Sequence, residues 1–110
     1  TGFLQRADGS VDDLVSTGLI IGVSQEAEWA TRKFQVSDSE CLVLVTDGVT
    51  ETSGRDHTLF GRERVSDLLR RSHAESDSVD GLVKRLESSL AEYRDGERQH
   101  DDVTVLAVRF

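Results

Sequence analysis

Proline and methionine are among the amino acids that this 110-residue sequence lacks, and cysteine is almost absent. The chain has no proline and no methionine, and Cys41 is its one cysteine. A lone cysteine excludes an internal disulfide framework. Because position 1 is a threonine and no methionine is present, we expect the sequence to be a processed or cut-down product of something longer.

Positive charge and long apolar runs are also scarce. Lys and Arg number 13 against 21 Asp and Glu, which gives a formal net charge of −8. An acidic surface repels phosphate backbones, so we expect no nucleic-acid partner. No apolar run approaches the ~20 residues that cross a bilayer, and no signal peptide opens the chain, so we expect no membrane insertion and a cytoplasmic location.

The first half of the sequence is predicted to consist mostly of strands. Residues 3–6 are predicted to form the first strand, and the Asp-Gly pair that follows at positions 8 and 9 is typical of a hairpin turn. Residues 19–23 form a short apolar run that is typical of a buried strand, and apolar and polar residues alternate over 28–36. Residues 41–45 form the most apolar stretch, which predicts a central strand buried on both faces.

The second half is predicted to be mainly helical. Apolar residues recur at helical spacing in two stretches, which predicts one helix over about 61–71 and another over 79–93. Asp77 or Ser78 is suited to cap the second helix, and an Asp-Gly pair at 95 and 96 is suited to end it.

A strand predicted over 103–108 closes the chain, so the predicted element order is β-β-β-β-α-α-β. Because the strands are consecutive rather than alternating with helices, the pattern favours an α+β fold with two helices packed on a mostly antiparallel sheet.

Acidic residues stand at one end of each of the two most apolar strands. Asp47 follows strand 41–46, and Asp101 and Asp102 precede strand 103–108. If the two strands are antiparallel neighbours, these carboxylates converge at one rim of the sheet. Converging carboxylates without a Cys or His cluster suit Mg²⁺ or Mn²⁺. The alternative is that all three are ordinary turn residues.

Two other phosphate-handling classes fit the sequence poorly. Haloacid-dehalogenase-type phosphatases need a nucleophilic aspartate two positions before the Asp-Gly pair, where this chain has Val45. Receiver domains carry a phosphate-accepting aspartate at a strand end, but their sheet is parallel and alternates with helices. The run of strands that opens this sequence argues against that arrangement.

Three segments together resemble the PPM (PP2C-like) family of metal-dependent serine/threonine phosphatases, in its bacterial SpoIIE/RsbU branch. Residues 42–51 resemble that branch's "LLLYTDGVTE" segment, residues 59–65 its "FGEERL" helix start, and residues 100–109 its closing "DDVTLLVLR" strand. Residues 6–9 and 18–23 resemble its "RxDG" and "GxPLG" elements, with Ile20 where proline is usual.

The resemblance assigns roles to four residues. Asp47 and Asp101 match metal-ligating aspartates, Asp102 occupies the neighbouring position behind the ligands, and Gly48 lets the backbone turn tightly beneath the site. The family uses a pair of Mn²⁺ or Mg²⁺ ions to activate a water that attacks phosphoserine or phosphothreonine. No phosphoenzyme forms, so no protein nucleophile is expected.

The resemblance also implies that part of the domain lies elsewhere. The family's N-terminal half supplies a bridging aspartate and a glycine carbonyl, and nothing before Gly18 resembles it. Residues 1–110 are thus expected to be the C-terminal portion of a SpoIIE/RsbU-type domain with an αββα sandwich, inactive and prone to self-association on their own. The implied substrate is a phosphorylated regulatory protein of the anti-anti-sigma-factor type. The alternative is a truncated or degenerate module that serves as a scaffold.

Overall fold

The computed structural model describes all of residues 1–110 as four strands and three helices. The strands are β1 (Gly2–Gln5), β2 (Val11–Leu14), β3 (Cys41–Val45) and β4 (Val105–Arg109). The helices are α1 (Asp47–Thr50), α2 (Gly61–Ala74) and α3 (Val79–Arg94). None of the helices is long and apolar enough to cross a bilayer.

The strands form one antiparallel sheet in the order β2-β1-β3-β4. The hairpin turn predicted at Asp8-Gly9 joins β1 to β2, with Gly9 at a φ of +84°, which glycine adopts readily. The apolar pattern does not predict strand β2, because its sequence Val-Asp-Asp-Leu has two aspartates between its apolar ends instead of alternating apolar and polar residues. The α+β class with an antiparallel sheet is confirmed, with three helices instead of two.

The hydrophobic core lies between one face of the sheet and helices α2 and α3. On the sheet side, alternate residues of β1 and β3 point into it, because successive side chains of a strand point to opposite faces. On the helical side, Val65 and Leu69 of α2 pack with residues of α3 spaced three to four positions apart. The buried members are Phe3, Cys41, Val43, Val45, Val49, Phe60, Val65, Leu69, Leu82, Leu86 and Leu90.

The opposite face of the sheet is apolar, and much of it is exposed. Leu44 of β3 is 40% exposed, and Leu106 of β4 is 53% exposed. The prediction that the central strand is buried on both faces is therefore wrong for this chain, because no helix or second sheet covers the outer face. A shallow depression of about 530 Å³ lies on this side, lined in part by Leu14, Leu44 and Leu106.

The two strands predicted between β2 and β3 are absent. Residues 19–23 are irregular apart from a turn at 21–22, and their apolar side chains lie in solvent, with Ile20 at 79% and Ile21 at 86% exposure. Residues 28–36 are irregular throughout. The indole of Trp29 donates a hydrogen bond to the Leu19 carbonyl (2.7 Å). Apolar spacing alone does not make a strand, because each strand needs a partner backbone, and here neither segment pairs with the sheet.

The predicted helices and their ends agree closely with the structure. Helix α2 extends to Ala74, and α3 ends one residue beyond its apolar stripe. The Ser78 hydroxyl accepts a hydrogen bond from the Gly81 amide (3.1 Å) and caps α3. Asp95 (φ +47°) and Gly96 (φ +88°) adopt left-handed conformations that end α3 and direct the chain back toward the sheet.

Candidate metal centre

The end of β3 and the approach to β4 are joined by three hydrogen bonds around Thr46. The Thr46 amide donates to the Thr104 carbonyl (3.1 Å), which extends the β3–β4 ladder by one pair. The Thr46 hydroxyl accepts from the Thr104 amide (2.9 Å) and donates to the Asp102 carbonyl (3.0 Å). Thr46 therefore fixes the segment before β4 against the end of β3 through both its backbone amide and its hydroxyl.

Gly48 provides the closest approach between the two acidic segments. A Cβ at this position would lie 2.4 Å from the Asp102 carbonyl oxygen and 3.4 Å from the Asp101 carbonyl carbon. Only glycine leaves room for backbone at that distance, so the Asp101–Asp102 backbone packs directly on the first turn of α1. The structure thus brings together the Asp47-Gly48 and Asp101-Asp102 segments that the sequence pairs.

The acidic side chains themselves lie at the surface of this junction. Asp47 is exposed at the first position of α1. The Asp101 carboxylate is also exposed and accepts a hydrogen bond from the Asp102 amide (2.7 Å). That contact occupies one oxygen and leaves the other free for a cation.

A small polar cleft opens beside this junction, between the residues after α1 and those after α3. Its volume is about 90 Å³, and it has no apolar lining. Asp101 and Glu51 contribute negative charge, and Arg94 and Arg98 contribute positive charge. The lining residues are Gly48, Glu51, Thr52, Ser53, Arg94, Arg98, Gln99, His100 and Asp101.

The donor set fits part of a hard-cation site. Asp47 and Asp101 offer carboxylate oxygens, the ligand type that Mg²⁺ and Mn²⁺ prefer. Because Gly48 has no side chain, the Asp101–Asp102 backbone packs tightly against it. Nowhere in residues 1–110 do three or more His, Cys, Asp or Glu side chains cluster in a way that could hold a metal ion. Two carboxylate ligands from this chain would leave most coordination positions open.

The charge pairs that perturb ionisation lie away from this junction. A hydrogen bond from the guanidinium of Arg85 lowers the pKa of Asp77, ahead of α3. The Ser37 and Ala7 amides and the Arg6 guanidinium lower the pKa of Glu40, before the opposite end of β3. These groups stabilise the connections between elements and take no part in the candidate centre.

The fold matches that of a solved phosphatase domain. The SiaA-PP2C domain of Pseudomonas aeruginosa superposes with a TM-score of 0.76 at 24% sequence identity, covering 99% of this chain and 43% of that one. The four-stranded sheet with its helices is therefore a PP2C-like fold.

The sequence comparisons identify the family. The model of the family "Stage II sporulation protein E (SpoIIE)" matches residues 1–110, and the chain belongs to that family as a PP2C-like phosphatase domain. It is 27% identical over 106 residues to Protein IcfG of Synechocystis sp. and 26% identical over 107 residues to Phosphoserine phosphatase RsbU of Bacillus subtilis. The two matches cover 96% and 97% of this chain. They span only 16% of the length of Protein IcfG and 31% of the length of RsbU.

Sequence reasoning identified the acidic residues at this junction but missed those that hold them in place. The structure brings Asp102 against Gly48, as the predicted strand pairing requires. The metal-ligand roles of Asp47 and Asp101 stay predictions. Thr46 was not singled out, although a hydroxyl at the last position before the Asp-Gly pair is a signal for side-chain to backbone bonding. Gln99 was not singled out either, because it belongs to no periodic pattern of apolar residues.

Proposed function

We propose that this chain is the C-terminal portion of a metal-dependent protein serine/threonine phosphatase domain of the SpoIIE/RsbU type. The observation that carries the proposal is the packing of Gly48 on the Asp101–Asp102 backbone at the joined ends of β3 and β4. A module without catalytic ancestry has no need to hold two acidic segments at one rim of the sheet.

Asp47 and Asp101 are the proposed metal ligands from this chain. Asp102 fixes their surroundings through its backbone, because its amide donates to the Asp101 carboxylate and its carbonyl accepts from Thr46. Gly48 allows that backbone to approach. When bound, Mn²⁺ or Mg²⁺ acidifies water and neutralises charge on phosphoryl oxygens, so that no protein nucleophile is needed.

The remaining ligands are proposed to lie outside residues 1–110. Two observations support this division of the domain. The chain spans 43% of the SiaA-PP2C chain, and the outer face of its sheet exposes Leu44, Leu106 and Val108. A second sheet packed on that face would bury these side chains and complete an αββα sandwich. The isolated chain is accordingly expected to be inactive.

The proposed substrate is a phosphorylated regulatory protein of the anti-anti-sigma-factor type. The support is the match to RsbU, whose name describes a phosphoserine phosphatase. The net charge of −8 fits a protein substrate better than a nucleic acid.

One observation favours a second candidate, a degenerate phosphatase module that binds partners without catalysis. No third His, Cys, Asp or Glu side chain joins the two aspartates within this chain. The two candidates differ in their need for metal, because a scaffold would keep its partner binding when the ligands are lost.

The test is to replace the proposed ligands one at a time in the full protein. Asp47→Asn and Asp101→Asn should each remove most Mn²⁺-dependent hydrolysis of a phosphoserine protein, because each deletes one charged ligand. Asp38→Asn is the matched control, since Asp38 is an exposed aspartate in the turn before the far end of β3. Hydrolysis at the parental rate by either ligand variant would refute the assignment.

A further inference from the structure

Gln99 uses both ends of its amide to connect helix α3 to the acidic segment. Its Oε1 accepts a hydrogen bond from Nη1 of Arg94, the last residue of α3 (2.7 Å). Its Nε2 donates to the backbone carbonyl of Asp101 (2.9 Å). Both distances are those of well-formed hydrogen bonds.

The two carbonyls of the acidic segment are thereby held from opposite sides. Gln99 holds the Asp101 carbonyl from the α3 side, and the Thr46 hydroxyl holds the Asp102 carbonyl from the β3 side. The Asp101 carboxylate in turn accepts from the Asp102 amide. Fixing the peptide on both sides of Asp102 limits the directions in which the Asp101 side chain can point.

The chemistry of this contact requires an amide. The glutamine needs an acceptor toward the guanidinium and a donor toward the carbonyl, and a side-chain amide carries one of each. The Arg94 contact is charge-assisted and so stronger than a neutral one, which fixes which end of the amide faces the carbonyl. The segment from Asp95 to His100 has no regular secondary structure. The hydrogen bond between Gln99 and Arg94 therefore links this segment directly to the end of α3.

We propose that Gln99, oriented by Arg94, is a positioning residue for Asp101 as a metal ligand. The inference rests on the proposed function, because it assumes that Asp101 binds the cation. Gln99 itself contacts neither metal nor substrate; it acts by holding the peptide that carries the ligand. Residues that orient metal ligands in this way change metal affinity by about 10–100-fold when they are replaced.

The test compares two near-isosteric variants of the full protein. Gln99→Met removes both hydrogen bonds, whereas Gln99→Glu keeps the acceptor for Arg94, loses the donor to the Asp101 carbonyl and adds a negative charge, which by itself would favour the cation. Both variants should weaken Mn²⁺ binding, measured by calorimetric titration of the metal alone, by roughly 10-fold or more. Phosphatase activity should return toward the parental kcat at saturating Mn²⁺, because the ligand itself is still present.

Gln25 provides the matched control. It is an exposed glutamine in the irregular segment between β2 and β3, so Gln25→Met and Gln25→Glu should leave Mn²⁺ affinity unchanged. If Gln99→Met fails to fold, as seen by circular dichroism, Gln99→Ala takes its place, because it also removes both hydrogen bonds without adding charge.

Asp101→Asn separates failure of this inference from failure of the proposed function. If Asp101→Asn weakens Mn²⁺ binding and both Gln99 variants bind Mn²⁺ as tightly as the parent, the positioning role is refuted and the metal site stands. A loss of activity that saturating Mn²⁺ does not restore also overturns the positioning role. If Asp101→Asn leaves Mn²⁺ binding unchanged, the proposed function fails and the inference fails with it.

Discussion

Replacing Gly48 with alanine tests whether the two acidic segments need their close contact. Gly48 lies in the helical backbone of α1, a conformation that alanine adopts without strain. Its missing Cβ would instead lie 2.4 Å from the Asp102 carbonyl oxygen, where an ordinary contact begins near 3.4 Å. The obstacle is backbone rather than a flexible side chain, so α1 and the Asp102 peptide must separate by about 1 Å.

The expected cost follows from two opposing effects. Overpacking of this kind destabilises by about 1–3 kcal/mol. Replacing a glycine in a helix by alanine contributes about 0.5–1 kcal/mol in the other direction. The upper part of the overpacking range applies because the obstacle is backbone, so we expect Gly48→Ala to lower the free energy of unfolding by roughly 1–2 kcal/mol. The substitution should also weaken the bond between the Thr46 hydroxyl and the Asp102 carbonyl.

Urea unfolding of the full protein measures this effect, with Gly81→Ala as the matched control. Gly81 lies in the first turn of α3, and a Cβ there would meet its nearest neighbour at an ordinary 3.4 Å. Alanine at Gly81 should therefore leave stability unchanged or raise it by up to about 1 kcal/mol. A Gly48→Ala variant as stable as the parent would refute the packing argument, because it would mean that the acidic segment yields without cost.

Two further predictions concern acid stability and association. Because a hydrogen bond from Arg85 lowers the folded-state pKa of Asp77, this pair stabilises the fold above the unfolded pKa of about 3.9, and its contribution is lost as pH falls through the lower folded value. Asp77→Asn should flatten the fall of the urea midpoint below about pH 4, and an unchanged fall would contradict the assignment. The 110-residue chain should self-associate in sedimentation at about 0.15 M salt, which screens its net charge. Leu106→Lys, on the exposed face beside Leu44, should favour the monomer, and a parent chain that is monomeric at every concentration would refute this prediction.

The elements that could be predicted are those whose apolar pattern matches a buried face. Strand β3 and helices α2 and α3 place their apolar residues in the core at the expected spacing. Residues 19–23 and 28–36 have similar local patterns but no hydrogen-bonding partner in the sheet. Whether two distant segments pair as strands depends on the tertiary structure, so a local apolar pattern cannot reveal that a pairing is missing.

The candidate centre was predictable only where the sequence carries charge. Asp47 and Asp101 stood out because each ends or precedes an apolar strand, and antiparallel pairing of β3 with β4 does bring those ends together. Thr46 and Gln99 each hold this segment through a side-chain hydrogen bond to a backbone carbonyl. Such bonds depend on the final geometry of two loops, and polar residues in loops are too common for their positions to predict a contact.

The pairing of the third strand with the fourth also determines when the centre can form. Val45 pairs with Val105, and all three helices lie in the chain between them. Closing so long a loop has a large entropic cost, which is recovered only once the strands pair and the helices pack. During synthesis, the segment that carries Asp101 leaves the ribosome after every helix of this chain. If Asp101 binds the cation as proposed, the nascent chain gains this ligand only with its last strand, so cation binding would follow the pairing of β4 with β3.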